Sequence, residues 1–366
     1  MIFLIYFMYN LEKFGWSDFF EKQYTALRDT GLQPARVAIE FKKNYLLYGP
    51  NGEIIGELKR RFFHIAADPG SLPKVGDWVL IETKTDNTAV IHYILERKSW
   101  LSRKMPGKRI SEQIVAANID YVFVVVALGY DFNLRKIERM LVAVRESGAE
   151  PIIILNKADL DSEYLNKLKE TKFANPNIPV FCLSAVTNLG YNELSQTLQP
   201  QKTYVFIGSS GVGKSTIINQ LFGDKIRKTA DRDIPYKGGL HITTTRELIL
   251  LPSGALLIDM PGIRELQIWG TEESLEEAFP DITEIAKKCK FTDCTHTHEV
   301  NCAVKEAVKN KQLSEERYNN YIRMYEEILK LDKLRIRSKM LEKQTKLSKV
   351  KKQYFLKKKP KNSDFH

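Results

Sequence analysis

Gly208-Ser-Ser-Gly-Val-Gly-Lys-Ser-Thr216 decides the fold of this 366-residue chain. The apolar run Tyr204-Val-Phe-Ile-Gly208 predicts a buried strand before the glycines, and residues 214–221 have the apolar spacing of a helix. A glycine-rich turn between a strand and a helix matches the pattern Gly-x4-Gly-Lys-[Ser/Thr], whose backbone N–H groups cradle phosphates. The stretch therefore predicts an α/β domain that binds the phosphates of a nucleotide.

The phosphate motif assigns roles to single residues. Lys214 would reach the β- and γ-phosphates and act in catalysis, and the Ser215 hydroxyl would ligate Mg²⁺. Downstream, the apolar run Ala255-Leu-Leu-Ile-Asp259 leads into Asp259-Met-Pro-Gly262, which matches the Asp-x-x-Gly segment that senses the metal and the γ-phosphate. We expect Asp259 to bind Mg²⁺ directly or through water.

A guanine-binding pattern, Asn156-Lys-Ala-Asp159, follows the buried run Pro151-Ile-Ile-Ile-Leu155. Asp159 can accept from guanine N1–H and N2–H, whereas adenine would leave a buried Asp159 without partners. The alternative is an ordinary strand-to-helix turn with Asp159 as the N-cap. The predicted GTP-binding residues are Asn156, Lys157, Ala158, Asp159, Ser184, Ala185, Gly208, Ser209, Ser210, Gly211, Val212, Gly213, Lys214, Ser215, Thr216 and Gly262.

The order of these motifs is unusual, because the base-binding pattern comes before the phosphate loop. Six apolar runs predict strands at 121–127, 151–155, 179–183, 204–208, 247–251 and 255–259. The phosphate-loop strand is the fourth of these, although it comes first in a standard GTPase domain. The sequence therefore predicts the same sheet with its chain ends moved, which is a circular permutation.

Short alternating runs precede this domain. Five of them, within residues 36–93 and separated by glycine and proline turns, predict a small all-β barrel of the OB type. The segment Lys59-Arg-Arg-Phe-Phe-His64 mixes cations with aromatic residues, as nucleic-acid-binding barrels do. A role for Phe62 or Phe63 in core packing is an equal alternative.

A cluster of metal-binding residue types follows the nucleotide domain. Cys289, Cys294, His296 and Cys302 offer three thiolates and one imidazole, the donor set of a closed tetrahedral zinc site with one Zn²⁺ per chain. His298 is the alternative to His296, and free cysteines in a helical segment are the alternative to a metal site. Cys182, on a predicted buried strand, is expected in the core.

Composition defines the setting. Four cysteines among 366 residues do not indicate a secreted disulfide scaffold, so we expect a cytoplasmic protein. After the apolar start no segment approaches 18 apolar residues, so we expect no membrane association, and we expect a monomer. Residues 332–366 hold 13 lysines and arginines and three acids, which is +10 of the net charge of +11. This basic tail either solubilises the protein or contacts RNA phosphates. The apolar start, Met1 to Met8, suggests a mis-assigned initiator rather than a membrane anchor.

The expected organisation is multidomain. It comprises an N-terminal segment with a helix (1–34), an OB-type barrel (35–97), a basic linker (98–109), a circularly permuted P-loop GTPase domain of α/β class (110–270), a mostly helical zinc-binding domain (271–331) and the basic tail (332–366).

Together these motifs resemble one family, the circularly permuted, small-subunit-dependent GTPases called RsgA or YjeQ. The resemblance runs from Asn10 to about Leu331 and includes Pro73-Lys-Val-Gly-Asp-Trp78, Asp131-Phe-Asn-Leu-Arg135 and Asp293-Cys-Thr-His-Thr297. It implies a GTP hydrolase, acting on the β–γ phosphoanhydride, that binds the small (30S) ribosomal subunit and its rRNA. It also implies late subunit maturation, slow turnover stimulated by the subunit, and help in releasing the assembly factor RbfA.

The switch segment Gly239-Leu-His-Ile-Thr-Thr-Thr245 is similar to the family's Gly-Arg-His-Thr-Thr-Thr-His. The resemblance makes His241 the candidate catalytic group and Thr243, or else Thr244, the Mg²⁺-sensing threonine. A mobile loop position without chemistry is the alternative for His241. No glutamine closely follows Gly262, so unassisted hydrolysis should be slow. One alternative function is a GTP-controlled RNA-binding scaffold whose hydrolysis only resets binding, and another is a translation or signalling GTPase unrelated to subunit assembly.

Overall fold

The computed structural model describes residues 11–42, 44–59, 62, 72–85, 88–104, 112–222, 246–259 and 271–357. The described residues form two compact units. The first combines residues up to Arg103 with Glu112–Thr283, and the second contains the residues from Glu284 onward. In the ranges given, no helix is both long and apolar enough to cross a membrane.

The N-terminal part of the first unit is a closed barrel. After helix α1 (Asp18–Thr25) come the strands β1 (Gln33–Glu40), β2 (Asn44–Gly49), β3 (Gly52–Leu58), β4 (Trp78–Thr83) and β5 (Thr88–Ile94). They pair in the order β1-β2-β3-β5-β4, and β4 closes onto β1. The predicted five-stranded barrel is confirmed. Phe62 is buried in its core, whereas Phe63 and His64 lie outside the described residues.

The second part of this unit is a six-stranded α/β sheet. Its strands are β8 (Tyr121–Ala127), β9 (Glu150–Asn156), β10 (Val180–Cys182), β11 (Thr203–Ile207), β12 (Glu247–Leu250) and β13 (Leu256–Asp259). The spatial order is β10-β9-β8-β11-β13-β12, with β12 antiparallel to β13 and the other neighbours parallel. Val and Ile runs form these strands because both faces of the sheet are covered. All six predicted strands are present.

Helices cover this sheet, and one strand joins it to the barrel. The helices are α2 (Leu134–Glu146), α3 (Tyr164–Ala174), α4 (Tyr191–Gln196) and α5 (Lys214–Phe222). Ile39 of β1 pairs with Glu247 of β12, and the Tyr48 hydroxyl donates to the Leu248 carbonyl oxygen at 3.1 Å. The barrel is therefore attached to the strand that follows the predicted switch segment.

The structure differs from the sequence expectation in two places. The stretch expected as a linker at 98–109 contains β6 (Trp100–Lys104), which pairs with β7 (Glu112–Ala117). Helix α6 (Glu272–Ala278), expected in the zinc-binding domain, packs on α2 of the first unit. The Thr271 N–H donates to Glu146 Oε2 at 3.0 Å beside this contact. Packing, rather than a change in composition, sets both boundaries.

Helices dominate the second unit. Helix α7 (Pro280–Ala286) spans the boundary between the units, and α8 (Ala303–Lys309) and α9 (Glu315–Lys357) follow. Helix α9 continues beyond Leu331 and extends through much of the basic tail. Met1, Met8 and the residues after 357 lie outside the described residues.

Candidate functional site

The phosphate loop, residues 208–216, connects β11 to α5. Gly208 has φ +142°, and a Cβ at this position would lie 2.2 Å from the Val125 carbonyl oxygen, so a side chain cannot fit. Lys214 Nζ donates to the carbonyl oxygens of Gly208 and Ser209, each at 2.8 Å. Burial lowers the pKa of Lys214, and the nearby Asp131 carboxylate opposes that shift. The Lys214 ammonium is thus held against the loop by acceptors that phosphate oxygens can replace.

The base-binding half of the site touches the phosphate loop directly. Asn156, only 2% exposed at the end of β9, donates from Nδ2 to the Val212 carbonyl oxygen at 2.8 Å. Gly213 has φ +99°, and a Cβ there would lie 2.3 Å from Asn156 Nδ2. Glycine at 213 therefore permits this approach. The two motifs, separated in the sequence, are brought together by the neighbouring strands β9, β8 and β11.

Asp159 lies within a short 3-10 turn, Ala158–Leu160, and caps no helix, since α3 begins only at Tyr164. The Ser184 hydroxyl donates to Asp159 Oδ1 at 2.6 Å, which links the two loops predicted to surround the base. Ser184 is buried and Ala185 is half-buried, but Asp159 is exposed. The sequence argument assumed a buried carboxylate. In the structure it is exposed, and its remaining lone pairs can still accept hydrogen bonds.

Asp259 is the last residue of β13, at the end of the sheet where β11 leads into the phosphate loop. The parallel register of β11 with β13 pairs Val205 with Ile258, so Asp259 follows at the level where β11 runs toward Gly208. Ser215 and Thr216 lie exposed in the first turn of α5. The predicted residues Gly262, His241, Thr243 and Thr244 lie outside the described residues.

Two residues that sequence reasoning did not assign to the site also contact it. The Tyr130 hydroxyl lies 2.9 Å from the Gly211 carbonyl oxygen and 3.0 Å from Lys157 Nζ. Lys136 Nζ donates to Ser209 Oγ at 2.6 Å and is paired with Asp131. Tyr130 lies in the loop after β8 and Lys136 in the first turn of α2. This position next to the phosphate-loop strand is the feature that could have identified them.

The four predicted metal ligands lie together in the second unit. Their donor atoms are all within 4.8 Å of one another. Cys289 Sγ is 3.9 Å from Cys302 Sγ, and His296 Nδ1 is 3.6 Å from Cys289 Sγ and 3.4 Å from Cys302 Sγ. A tetrahedral zinc with ordinary bond lengths requires about 3.8 Å between sulfurs and about 3.6 Å between sulfur and nitrogen. The cluster can therefore hold a metal ion, and the donor set fits zinc.

Neighbouring groups fix the loop that presents His296. The Glu299 carboxylate accepts from the backbone N–H groups of Thr295, Thr297 and His298, at 3.0, 3.1 and 3.2 Å. Tyr318 of α9 donates to the His296 carbonyl oxygen at 2.8 Å. Burial lowers the pKa of His296, which favours the neutral imidazole that metals bind. His298, the alternative ligand, is exposed and does not belong to the cluster.

A P-loop domain whose base-binding strand precedes its phosphate-loop strand defines the class of circularly permuted GTPases. Residues 94–269 match a family profile described as RsgA GTPase. A small ribosomal subunit biogenesis GTPase RsgA of Opitutus terrae is 39% identical over 87% of this chain and 89% of its own length. The chain belongs to the RsgA GTPase family, and it is a GTP hydrolase.

Solved structures agree with this assignment. The crystal structure of YjeQ from Thermotoga maritima is similar with a TM-score of 0.63 and 28% identity, covering 81% of this chain and 99% of the other. YloQ, described as a circularly permuted GTPase, gives a TM-score of 0.59 and 26% identity over 82% and 96%. The expected family, permutation and enzyme class are thereby confirmed.

Proposed function

We propose that this protein is a cytoplasmic GTPase that binds the small ribosomal subunit and assists its late maturation. The hydrogen bond from Asn156 to the Val212 carbonyl oxygen carries the nucleotide part, because it joins the base-binding half of the site to the phosphate loop. The Opitutus terrae relative, a small ribosomal subunit biogenesis GTPase similar over most of its length, supports the proposed action on the small subunit.

GTP binding is assigned to the residues of the two halves. Asp159 accepts from guanine N1–H and N2–H, and Ser184 orients this carboxylate by donating to its other side. The phosphate loop and Lys214 hold the phosphates, with Mg²⁺ bound by Ser215, Thr243 and Asp259. Bound Mg²⁺ would neutralise charge that develops on the phosphates during hydrolysis.

Zinc is the proposed occupant of the cysteine and histidine cluster. Three thiolates and one imidazole leave no open position, which is typical of a structural rather than a catalytic zinc. Cys289, Cys294, His296 and Cys302 would hold it, and its contribution would be to stabilise the second unit.

Hydrolysis is proposed to be slow unless the subunit is present. His241 would position the attacking water, since histidine can polarise water near neutral pH. Contacts between the lysine-rich tail and rRNA phosphates would add affinity, and GTP turnover would help release RbfA. The protein is proposed to act as a monomer.

The decisive experiment is GTP hydrolysis by the full chain with and without purified small subunits. We expect stimulation by the subunit, and we expect His241→Ala to lose most of that stimulated rate. Stimulated turnover within twofold of the wild-type rate would remove the catalytic role of His241.

Subunit binding is measured in parallel with GDP and with a non-hydrolysable GTP analogue. Tighter binding with the GTP analogue is expected. Equal binding in both states would contradict the proposed function. A hydrolysis-deficient variant that still completes maturation would favour the scaffold alternative, in which turnover only resets binding.

A further inference from the structure

The loop between β8 and α2, residues 128–133, lies across both halves of the nucleotide site. The Tyr130 hydroxyl is 2.9 Å from the Gly211 carbonyl oxygen of the phosphate loop. It is also 3.0 Å from Lys157 Nζ of the base-binding motif, which lies 5.0 Å from the centroid of the Tyr130 ring. One side chain thus joins the two motifs that define the site.

The chemistry of these groups fixes the direction of both hydrogen bonds. A lysine ammonium can only donate and a carbonyl oxygen can only accept. Lys157 therefore donates to the Tyr130 oxygen, and the single Tyr130 proton goes to Gly211. Such a chain of polarised bonds is stronger than its separate members. The cation over the ring face adds to the attraction.

Anchors on both sides hold the loop. The Gly129 N–H donates to Asp161 Oδ2 at 3.0 Å, and Asp161 is paired with Lys167 at 2.6 Å. After Tyr130, Asp131 is paired with Lys136, whose ammonium also donates to Ser209 Oγ of the phosphate loop. The position of Tyr130 is therefore set by its neighbours and not by burial of its own ring.

Tyr130 contributes little to core packing, because its side chain is 64% exposed. An exposed aromatic ring held by ordered contacts at a ligand site is better explained by the ligand than by stability. The hydrogen bond to the phenol oxygen restricts Lys157 most, since this long side chain has many rotamers and the bond selects one of them. Its backbone is already fixed in the left-handed region at φ 63°.

We propose that Tyr130 is a positioning residue for guanine nucleotides, which holds Lys157 in place for the base and ties that placement to the phosphate loop at Gly211. This inference rests on the proposed nucleotide site. Neither Gly211 nor Lys157 is proposed to sense the γ-phosphate, so GDP and GTP should depend on Tyr130 to the same extent.

The test uses the full chain and Tyr130→Phe, which removes the hydroxyl and keeps the ring. Affinity and dissociation rate are measured with a fluorescent GDP analogue, and KM and kcat for GTP are measured alongside. We expect about tenfold weaker binding, the order of one lost charge-assisted hydrogen bond, through faster dissociation. The change should fall on KM rather than kcat. Tyr93→Phe, on barrel strand β5, is the matched control and should bind GDP as the wild type does.

A double-mutant cycle then tests the route through Lys157. If Tyr130 acts by positioning Lys157, Tyr130→Phe should cost little further affinity in a Lys157→Met background. Full additivity, or affinity of Tyr130→Phe within twofold of wild type, would overturn the proposal. A clear drop in the melting temperature of Tyr130→Phe would also overturn it, by showing a structural role.

Asp159→Asn separates this inference from the proposed site. Loss of guanine affinity in Asp159→Asn with no change in Tyr130→Phe would reject only the role of Tyr130. Unchanged guanine affinity in Asp159→Asn would reject the base site itself and the inference with it.

Discussion

Glu299 lies outside the cysteine and histidine cluster but holds the loop that presents His296 to it. It accepts from the N–H groups of Thr295, Thr297 and His298 and from the Thr295 hydroxyl at 2.6 Å. The Thr295 hydroxyl bond is the main cause that lowers the pKa of Glu299 from 4.5 to about 2. Because the folded-state pKa is depressed, the stabilisation is complete above pH 4.5 and is lost as the pH falls toward 2. At neutral pH the loop that presents His296 is therefore fully supported.

Glu299→Gln should weaken zinc binding about 10- to 100-fold, the range for a lost outer contact. A glutamine amide has one acceptor oxygen instead of two, so it cannot satisfy the same N–H groups. Purified wild type is expected to contain one zinc per chain, and competition with a chelator measures the affinity. Glu306→Gln, on the exposed face of α8, is the control. Equal affinity of Glu299→Gln and wild type would contradict this account.

The ligand set has its own test. Replacing Cys289 and Cys294 with serine should abolish zinc binding, and retention of zinc by that variant would reject these ligands.

At the scale of elements, a buried arginine joins the barrel to the phosphate-loop strand. Arg36 of β1 is 1% exposed and donates to the Asn118 carbonyl oxygen at 3.0 Å and to Thr203 Oγ1 at 2.9 Å. It also donates to the carbonyl oxygens of Gly76 and Phe14. Burial lowers its pKa to about 10, against the opposing effects of Asp120 and Asp77, so the guanidinium stays charged at neutral pH.

Arg36→Met should destabilise the first unit by about 3–5 kcal/mol, because it leaves several buried acceptors without a donor. Urea denaturation followed by tryptophan fluorescence measures the loss. Arg28→Met, which breaks the partly exposed pair with Glu21, should cost less than about 1 kcal/mol. Similar losses for the two variants would show that the Arg36 contacts contribute little.

The same scale shows what the sequence could predict. Every predicted strand of the barrel and of the α/β sheet is present, because continuous or alternating apolar runs depend little on their partners. Strand β6 (Trp100–Lys104) was missed, since its residues do not alternate between apolar and polar types. Its conformation depends on pairing with β7. Helix α6, expected in the zinc-binding domain, packs on α2 of the first unit, and its sequence does not show this contact.

The sequence also predicted some features of the candidate site and missed others. Motif spacing predicted the approach of Asn156 and Lys157 to the phosphate loop, since strand ends of a parallel sheet meet at one edge. It could not predict Tyr130 or Lys136, because nothing in their local sequence shows that these side chains contact the phosphate loop. The exposure of Asp159 was also missed, since a loop's burial depends on the whole fold.

At the scale of the whole molecule, the net positive charge is concentrated in the C-terminal tail, residues 332–366. The basic tail carries nearly all of the net charge, and α9 continues through it as far as Lys357. The cations from Lys333 to Lys357 therefore follow one continuous helix. A tail that neutralises rRNA phosphates releases counterions, which makes binding depend steeply on salt.

Truncation after Leu331 should therefore weaken binding to the small subunit and flatten its salt dependence. Each lost phosphate contact should reduce the slope of log K against log salt by roughly 0.7 to 0.9. Binding measured between low and physiological salt gives that slope. A full-length variant with the tail lysines replaced by glutamine keeps the length, so it separates charge from chain length. If both variants keep the wild-type slope, the tail acts only in solubility, because phosphate contacts cannot be lost without changing the number of ions released.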